Sequence, residues 1–373
     1  MRVAVIGVRA GSLLNFRGEM LRSMAANGHT VLTIAPEDDA EVRAALQAMG
    51  VAFKSVPFDR TSTNPIADIA MVVRLVRELR RFHADAVLGY GAMPVIYGSI
   101  AARLVGVPLR TAMITGAGSA LAGGSGIGRQ ALVRLLRGLY RVGLRATQIV
   151  FFQNPDDERL FRSLGLIGGR QRVVRINGSG VDLAHFPFTP MPPAPPVRFL
   201  LIGRLLRDKG VHEYVEAARR VRRERPEARF ELLGPLDSNP SAISAAELDA
   251  WIAEGTVEYL GSTEDVRPYL ARAHVCVLPS YGEGMPRSVL EAMSMGRAIL
   301  TTDAPGCRET VEPEGNGLLV PVRDAGALAD GMLRLLAEPD RLDQLGRRSR
   351  ALAEERFDVH GVNRTILGAM GLA

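Results

Sequence analysis

Cysteine is nearly absent from this chain: Cys276 and Cys307 are the two examples in 373 residues. Two thiols make no disulfide framework and fall short of the ligand set of a structural zinc site. Both are expected to be buried thiols in a reducing cytoplasm. Long apolar runs are missing as well. No stretch of roughly 18 residues is apolar enough to read as a membrane span. The uncharged stretch Ala86 to Ala102 holds three Gly and one Pro, so it reads as a strand, a turn and the start of a buried helix. The opening MRVAVIGV reads as a first strand, with no secretory signal ahead of it. Its first β–α turn, Gly7-Val8-Arg9-Ala10-Gly11-Ser12, is not G-x-G-x-x-G, which argues against a nicotinamide-type dinucleotide site. Gly11 and Ser12 either let a ligand approach the backbone or form a plain turn. Acidic residues are missing from 101–150, which carries seven Arg. Stacking motifs are missing too, so the basic balance does not point to nucleic acid.

What is present suffices for two domains, with 47% hydrophobic residues to build their cores. The net charge of +6 is split unevenly. Residues 1–188 hold 23 basic and 13 acidic residues, and the remainder holds 23 and 27. A first half this basic suits a negative partner, either phosphate or an anionic membrane surface. Strands are expected at Val3–Ile6, Val31–Ile34, Ala86–Leu88, Arg110–Ile114, Ile149–Phe152 and Val173–Ile176. Helices such as Arg17–Asn27 and Asp68–Phe82 alternate with them, the pattern of a doubly wound parallel sheet. A Gly-rich loop from Gly116 to Gly128 leads into the basic amphipathic helix Arg129–Ala146. That helix is either a bilayer-surface helix or a domain helix with a solvated Arg face. Residues 187–196, PFTPMPPAPP, read as a stiff linker. Strands resume at Val197–Gly203, Arg229–Leu233, Val257–Leu260 and Leu318–Val320, and the tail Leu342–Gly368 reads as helical.

The second half centres on Val275 to Glu309, VCVLPSYGEGMPRSVLEAMSMGRAILTTDAPGCRE. An apolar strand, a Pro/Gly loop, a helix from about Pro286 to Gly296 and a second strand follow in turn. In open α/β sheets, ligands bind at the carboxyl ends of strands. Glu283 lies in that loop and Glu291 lies eight positions on. A carboxylate accepts hydrogen bonds from adjacent sugar hydroxyls, and the helix start near Met285 to Ser288 offers N–H donors. Upstream, GRLLRDKG places Arg204 and Lys209 after a strand, a pair suited to a diphosphate.

The E-x7-E spacing within this segment resembles the donor-binding signature of retaining glycosyltransferases of family 4. The first-half segments RAGSLLNFRGEM, DRTSTNP, PVIYGSIAARLVGVP and ITGAGS are similar to bacterial enzymes of capsule, O-antigen and exopolysaccharide assembly. They also resemble the galactosaminyltransferase acting on diacetylbacillosaminyl-diphosphoundecaprenol. The resemblance implies an α/β GT-B fold, two Rossmann-like doubly wound parallel-sheet domains with a cleft between them. The acceptor domain would span 1–186, the linker 187–196 and the nucleotide-sugar domain 197–357, with a helix at about 358–373 returning to the first domain.

The resemblance also assigns roles. Arg204, Lys209 and Glu283 would be catalytic, the two cations stabilising the departing diphosphate. Glu291, Gly284, Met285, Pro286, Gly203 and Glu309 would bind the donor, a UDP-sugar, with Glu291 on its ribose. Gly11, Ser12, Arg17, Thr115 and Gly116 would form the acceptor and phosphate side. The acceptor would be a lipid-diphosphate-linked saccharide, met by a cytoplasmic protein peripheral on the inner face of the plasma membrane. No metal or other cofactor is implied. The other large glycosyltransferase fold uses Asp-x-Asp and a divalent cation, and the nearest counterpart here, Glu37-Asp38-Asp39, reads as a solvated loop. Many relatives carry a His near Ile114-Thr115-Gly116, where this chain has Thr115. That departure implies a same-face mechanism in which the leaving phosphate takes the acceptor proton. A soluble acceptor, a UDP-sugar epimerase and a silent sugar-nucleotide-binding protein are the alternative readings.

Overall fold

The structure, a computed structural model, describes residues 1–58, 65–116, 127–237, 239 and 241–373. The chain forms two compact units, Met1–Ser179 with Val359–Ala373, and Gly180–Asp358.

The first unit is built on strands β1 (Arg2–Ile6), β2 (Thr30–Ala35), β3 (Val51–Ser55), β4 (Ala86–Tyr90), β5 (Leu109–Ile114), β6 (Ile149–Phe152) and β7 (Arg172–Arg175). They pair in parallel in the order β3-β2-β1-β4-β5-β6-β7. Val3 to Ile6 are completely buried. Central parallel strands covered on both faces read as continuous apolar runs for this reason. The edge strand β3 was not expected from the sequence, because its short run alternates buried Val51 and Phe53 with exposed Ala52 and Lys54.

Helices cover both faces of this sheet. Ala10–Ala26 and the returning Val359–Met370 contribute to one core cluster. Pro65–Phe82, Ser99–Val105 and Ile127–Arg145 contribute to the other. The tail is not one helix. Arg341–Leu352 continues into the π-helical turn Ala353–Phe357, then breaks at Asp358, where ψ is 125°, and Val359–Met370 belongs to the first unit.

The second unit carries β8 (Arg198–Ile202), β9 (Arg229–Leu233), β10 (Glu258–Tyr259), β11 (Val275–Leu278), β12 (Ala298–Thr302) and β13 (Gly317–Val320). These strands are also parallel, in the order β10-β9-β8-β11-β12-β13. Each sheet reverses its winding beside its first strand, between β1 and β4 and between β8 and β11. These are the switch points where such sheets take ligands.

The Pro-rich segment 187–196 is not a free linker, and the boundary falls at Ser179–Gly180. The buried guanidinium of Arg297 fastens the segment. It donates to the carbonyls of Thr189 and Pro190, and to the Thr189 hydroxyl at 2.9 Å. Ser294 Oγ donates to Phe186 O at 2.6 Å, which holds the preceding turn to the same unit.

Candidate active site

The second switch point gathers loops from three strands. After β8 come Gly203 and Arg204, then a 3-10 turn, Arg207–Lys209, closed by Gly210. Gly210 has a φ of +73°, and a Cβ there would lie 2.1 Å from Pro279 O. Only glycine brings the Lys209 turn this close to the loop after β11. That loop is laced to the turn by Tyr281 N donating to Asp208 O at 2.9 Å and Ser280 Oγ donating to the same carbonyl at 3.1 Å.

The result is direct contact between Lys209 and Glu283, 74 residues apart in sequence. Lys209 Nζ pairs with Glu283 Oε1, and Ser280 Oγ donates to that same oxygen at 2.8 Å. The loop after β12 supports Glu283 from behind. Glu283 N donates to Pro305 O at 2.8 Å, and Gly306, at φ +79°, lies where a Cβ would come 2.3 Å from Glu283 O. Only two of the 46 basic residues are lysine. That scarcity was a signal available in the sequence: an Arg-rich chain keeps a compact ammonium at this turn.

Pro286 is the N-cap, one residue before the helix Arg287–Ser294, not a residue of its first turn. Gly284 is buried and Met285 half-buried in the loop leading into it. Glu291 is not a helix-surface residue. It is buried, and Arg287 Nε pairs with its Oε1 at 2.6 Å. Burial pushes its carboxyl above the ordinary value, and Arg287 opposes that shift. Arg204 pairs with a different carboxylate. Its guanidinium donates at 2.9 Å to Asp237 on the loop after β9, and it is half exposed. Glu309 lies half-buried in the turn Arg308–Thr310. Ser280, Asp237 and Arg287 were not singled out from the sequence. Of these, Arg287 alone had a local signal, its i,i+4 spacing to Glu291.

In the first unit, Ser12 and Arg17 converge on Tyr90, another residue the sequence reading passed over. Ser12 Oγ donates to Arg9 O at 2.6 Å and lies 2.8 Å from the Tyr90 hydroxyl. Burial pushes that hydroxyl up to about 12. Arg17 is 2% exposed, with its guanidinium 5.1 Å from the Tyr90 ring centroid and Nη2 2.7 Å from Met113 Sδ. Burial draws Arg17 down to about 10, with the Tyr90 charge opposing, and its Nε has no hydrogen-bond partner among the described residues. Thr115 and Gly116 follow β5, two and three residues after Met113. A Cβ on Gly11 would meet nothing within 4 Å. The remainder of the Gly-rich loop, 117–126, and most of DRTSTNP lie outside the described residues.

The loop acids Glu37, Asp38 and Asp39 all have structural partners. Glu37 accepts from Ala10 N at 2.8 Å, Asp38 pairs with Arg43, and Asp39 caps the helix Ala40–Ala48. Among the described residues, no group of three or more His, Cys, Asp or Glu is placed to hold a metal ion. Cys276 and Cys307 are buried free thiols, both pushed up to about 12 by burial.

The Arg side chains of the helix Ile127–Arg145 do not share one solvated face. Arg141 donates to Leu164 O at 3.0 Å and Gly165 O at 3.3 Å, so it is turned against its own unit. Arg137 is half-buried, and of Arg137, Arg141 and Arg145 only Arg145 is exposed. Among the described residues no helix is long and apolar enough to cross a membrane.

Two parallel-sheet units, each wound about its own switch point, are the architecture of the GT-B fold. Residues 15–178 match the family model described as glycosyl transferase 4-like domain, and residues 196–338 match glycosyl transferases group 1. The two matches together span most of the chain, which belongs to this glycosyltransferase family.

A similar relative is the N,N'-diacetylbacillosaminyl-diphospho-undecaprenol alpha-1,3-N-acetylgalactosaminyltransferase of Campylobacter jejuni. It is 28% identical over 354 residues, covering 92% of this chain and 91% of the relative. The putative colanic acid biosynthesis glycosyltransferase WcaL of Escherichia coli is 26% identical, covering 60% of this chain and 61% of its own. Among solved structures, sucrose-phosphate synthase from Thermosynechococcus elongatus superposes with a TM-score of 0.81 at 18% identity, covering 99% of this chain and 98% of its own. Anabaena HepE in complex with UDP superposes with a TM-score of 0.75 at 16% identity, covering both chains fully.

Proposed function

We propose that this enzyme transfers a sugar, a hexose or N-acetylhexosamine, from a UDP-sugar to a polyprenyl-diphosphate-linked saccharide, with retention of anomeric configuration and without a metal. The observation that carries the reading is the Lys209–Glu283 pair at the second switch point, held by three strand-end loops. The barrier in such a transfer lies in breaking the bond from the anomeric carbon to the diphosphate. A fixed ammonium beside the leaving phosphate stabilises the charge that develops there. Lys209 has that role, and Arg204 adds a second cation at the same strand end. Glu283 accepts from donor-sugar hydroxyls, and Glu291 accepts from the ribose, oriented by Arg287. Gly203, Gly284, Met285, Pro286 and Glu309 line the donor.

Ser12, Arg17, Thr115 and Gly116 form the phosphate side of the acceptor, with Gly11 leaving the backbone open. The buried Arg17 guanidinium supports this assignment, because a buried cation that pairs with no carboxylate among the described residues favours an anionic ligand. With Thr115 in place of a His, the departing phosphate takes the acceptor proton. A lipid-linked acceptor places the protein peripherally on the inner face of the plasma membrane. The supports are the coverage of the Campylobacter relative, named for a diphospho-undecaprenol substrate, and the similarity to HepE, which was solved in complex with UDP. The test is a panel of nucleotide sugars, scored for transfer to a lipid-diphosphate saccharide and for slow hydrolysis. Transfer from UDP-sugars alone supports the reading. Donor interconversion without acceptor would identify an epimerase.

A further inference from the structure

We infer that one helical layer of the first unit, formed by Pro65–Phe82, Ser99–Val105 and Ile127–Arg145, is the face that lies on an anionic bilayer. This rests on the membrane reading above and names its surface.

All three helices pack on the same face of the first sheet, and Ser99–Val105 touches both of the others. Each long helix buries one stripe there: Met71, Leu75 and Leu79 on the first, Tyr140 and Leu144 on the second, with Leu136 and Leu139 partly buried beside them. The opposite stripes therefore point away from the sheet. Charged residues are expected on such outward stripes, but these are largely aliphatic.

On Pro65–Phe82 the outward stripe runs Ile66, Ile69, Val73, then Arg77 and Arg80. Ile66 is 78% exposed and Ile69 64%. On Ile127–Arg145 it runs Leu135, Gly138, Val142 and Arg145, flanked by Leu132 and Arg134. Leu104 is exposed on the short helix between them. Seven of the twelve exposed large apolar side chains among the described residues thus lie on this one layer, against three in the whole second unit.

The charge on the layer selects the partner. Arg77, Arg80, Arg81, Arg103, Arg134 and Arg145 are all exposed. The carboxylates on these helices are already engaged: Asp68 accepts from Tyr97 OH at 2.6 Å, and Glu78 pairs with Arg81 at 3.2 Å. The face thus combines aliphatic side chains that favour an apolar phase with cations that favour an anionic one. The headgroup boundary of an anionic bilayer supplies both within one helix diameter, and long Arg side chains reach the phosphates from an apolar footing.

The test uses the full chain and two surface variants. The first, Ile69→Gln/Leu135→Gln/Val142→Gln, removes apolar contact and keeps charge. The second, Arg77→Gln/Arg80→Gln/Arg134→Gln, does the reverse. Binding is read by co-sedimentation with phosphatidylglycerol/phosphatidylcholine vesicles and with phosphatidylcholine vesicles alone, and folding by circular dichroism. Wild type is expected to favour the anionic vesicles. The Arg variant should weaken binding about a hundredfold, roughly fivefold per cation, and only at low salt. The apolar variant should weaken binding at least about tenfold at both salt levels.

A folded variant that binds like wild type overturns the assignment of this face, as does wild type that ignores anionic vesicles. Self-association of wild type abolished by the apolar variant would make the face a contact between copies instead. Transfer to a water-soluble acceptor analogue separates the two readings. Both variants should keep it, whereas failure of folded wild type to transfer to any acceptor sinks the proposed function and leaves the vesicle result standing.

Discussion

Replacing Lys209 with Met removes one charge and keeps most of the side chain's length. The effect on folding should be small. Lys209 retains 22% and Glu283 15% of side-chain exposure, so the pair is partly screened by solvent. Such a pair contributes about 1 kcal/mol at most, which lowers the melting temperature by about 2–4 °C in a unit of this size. The effect on turnover should be far larger. One positioned electrostatic group at a developing charge contributes about 3–4 kcal/mol, or roughly 10²–10³ in kcat.

A competing reading is that Lys209 only holds Glu283 in place. A double-mutant cycle with Glu283→Gln separates the two. If Lys209 acts on the leaving diphosphate, Lys209→Met still costs at least about tenfold in the Glu283→Gln background. If it only positions Glu283, the second substitution costs nothing further. The assay is single-turnover transfer at saturating UDP-sugar, beside thermal unfolding. Wild-type turnover in a folded Lys209→Met protein would refute the electrostatic role.

Gly210→Ala should destabilise by about 1–3 kcal/mol, because its positive φ and the Cβ position 2.1 Å from Pro279 O force the Lys209 turn apart; thermal unfolding and donor KM check this together. Glu291→Gln tests the buried carboxylate. Its folded pKa is raised by burial, so its stabilising contribution is present below the ordinary carboxylate value and is lost as pH rises through the folded one. The Gln variant should therefore gain on wild type in melting temperature as pH climbs from about 4 to 7, while donor KM rises; parallel pH profiles would contradict that assignment. Activity should survive excess EDTA. Loss restored by manganese or magnesium would mean that a metal takes part.

How much of this was legible in the sequence depended on the range of the interactions. Buried strands such as β6 and β11 announce themselves, because parallel strands covered on both faces are apolar throughout. Lys209 and Glu283 were each marked locally, one by its place after a strand and the other by the Pro/Gly loop around it. Their contact was not, since it depends on Gly210 lying against Pro279 and Gly306 against Glu283. The pairing of Arg204 with Asp237 joins loops from different strands, and nothing local signals it. Burial was hardest to read. Arg17 and Glu291 look like surface charges by residue type, yet both are buried. The helix Arg129–Ala146 showed its amphipathic pattern plainly, but only the packed unit reveals that Arg141 turns inward to Leu164 and Gly165 while Leu135 and Val142 turn out. The Pro-rich segment 187–196 has the composition of a linker, and its attachment depends on one buried Arg more than a hundred residues away.

The central claim is retaining transfer from a UDP-sugar at the Lys209–Glu283 site, and the anomeric configuration of the product tests it most directly. Purified enzyme, a UDP-α-hexose or UDP-α-N-acetylhexosamine and a short-chain polyprenyl-diphosphate saccharide should give a product whose new linkage, read by proton NMR couplings at the anomeric centre, is α. Formation of that linkage should fall by roughly 10²–10³ in Lys209→Met. A β linkage, or α transfer undiminished in Lys209→Met, would contradict the account.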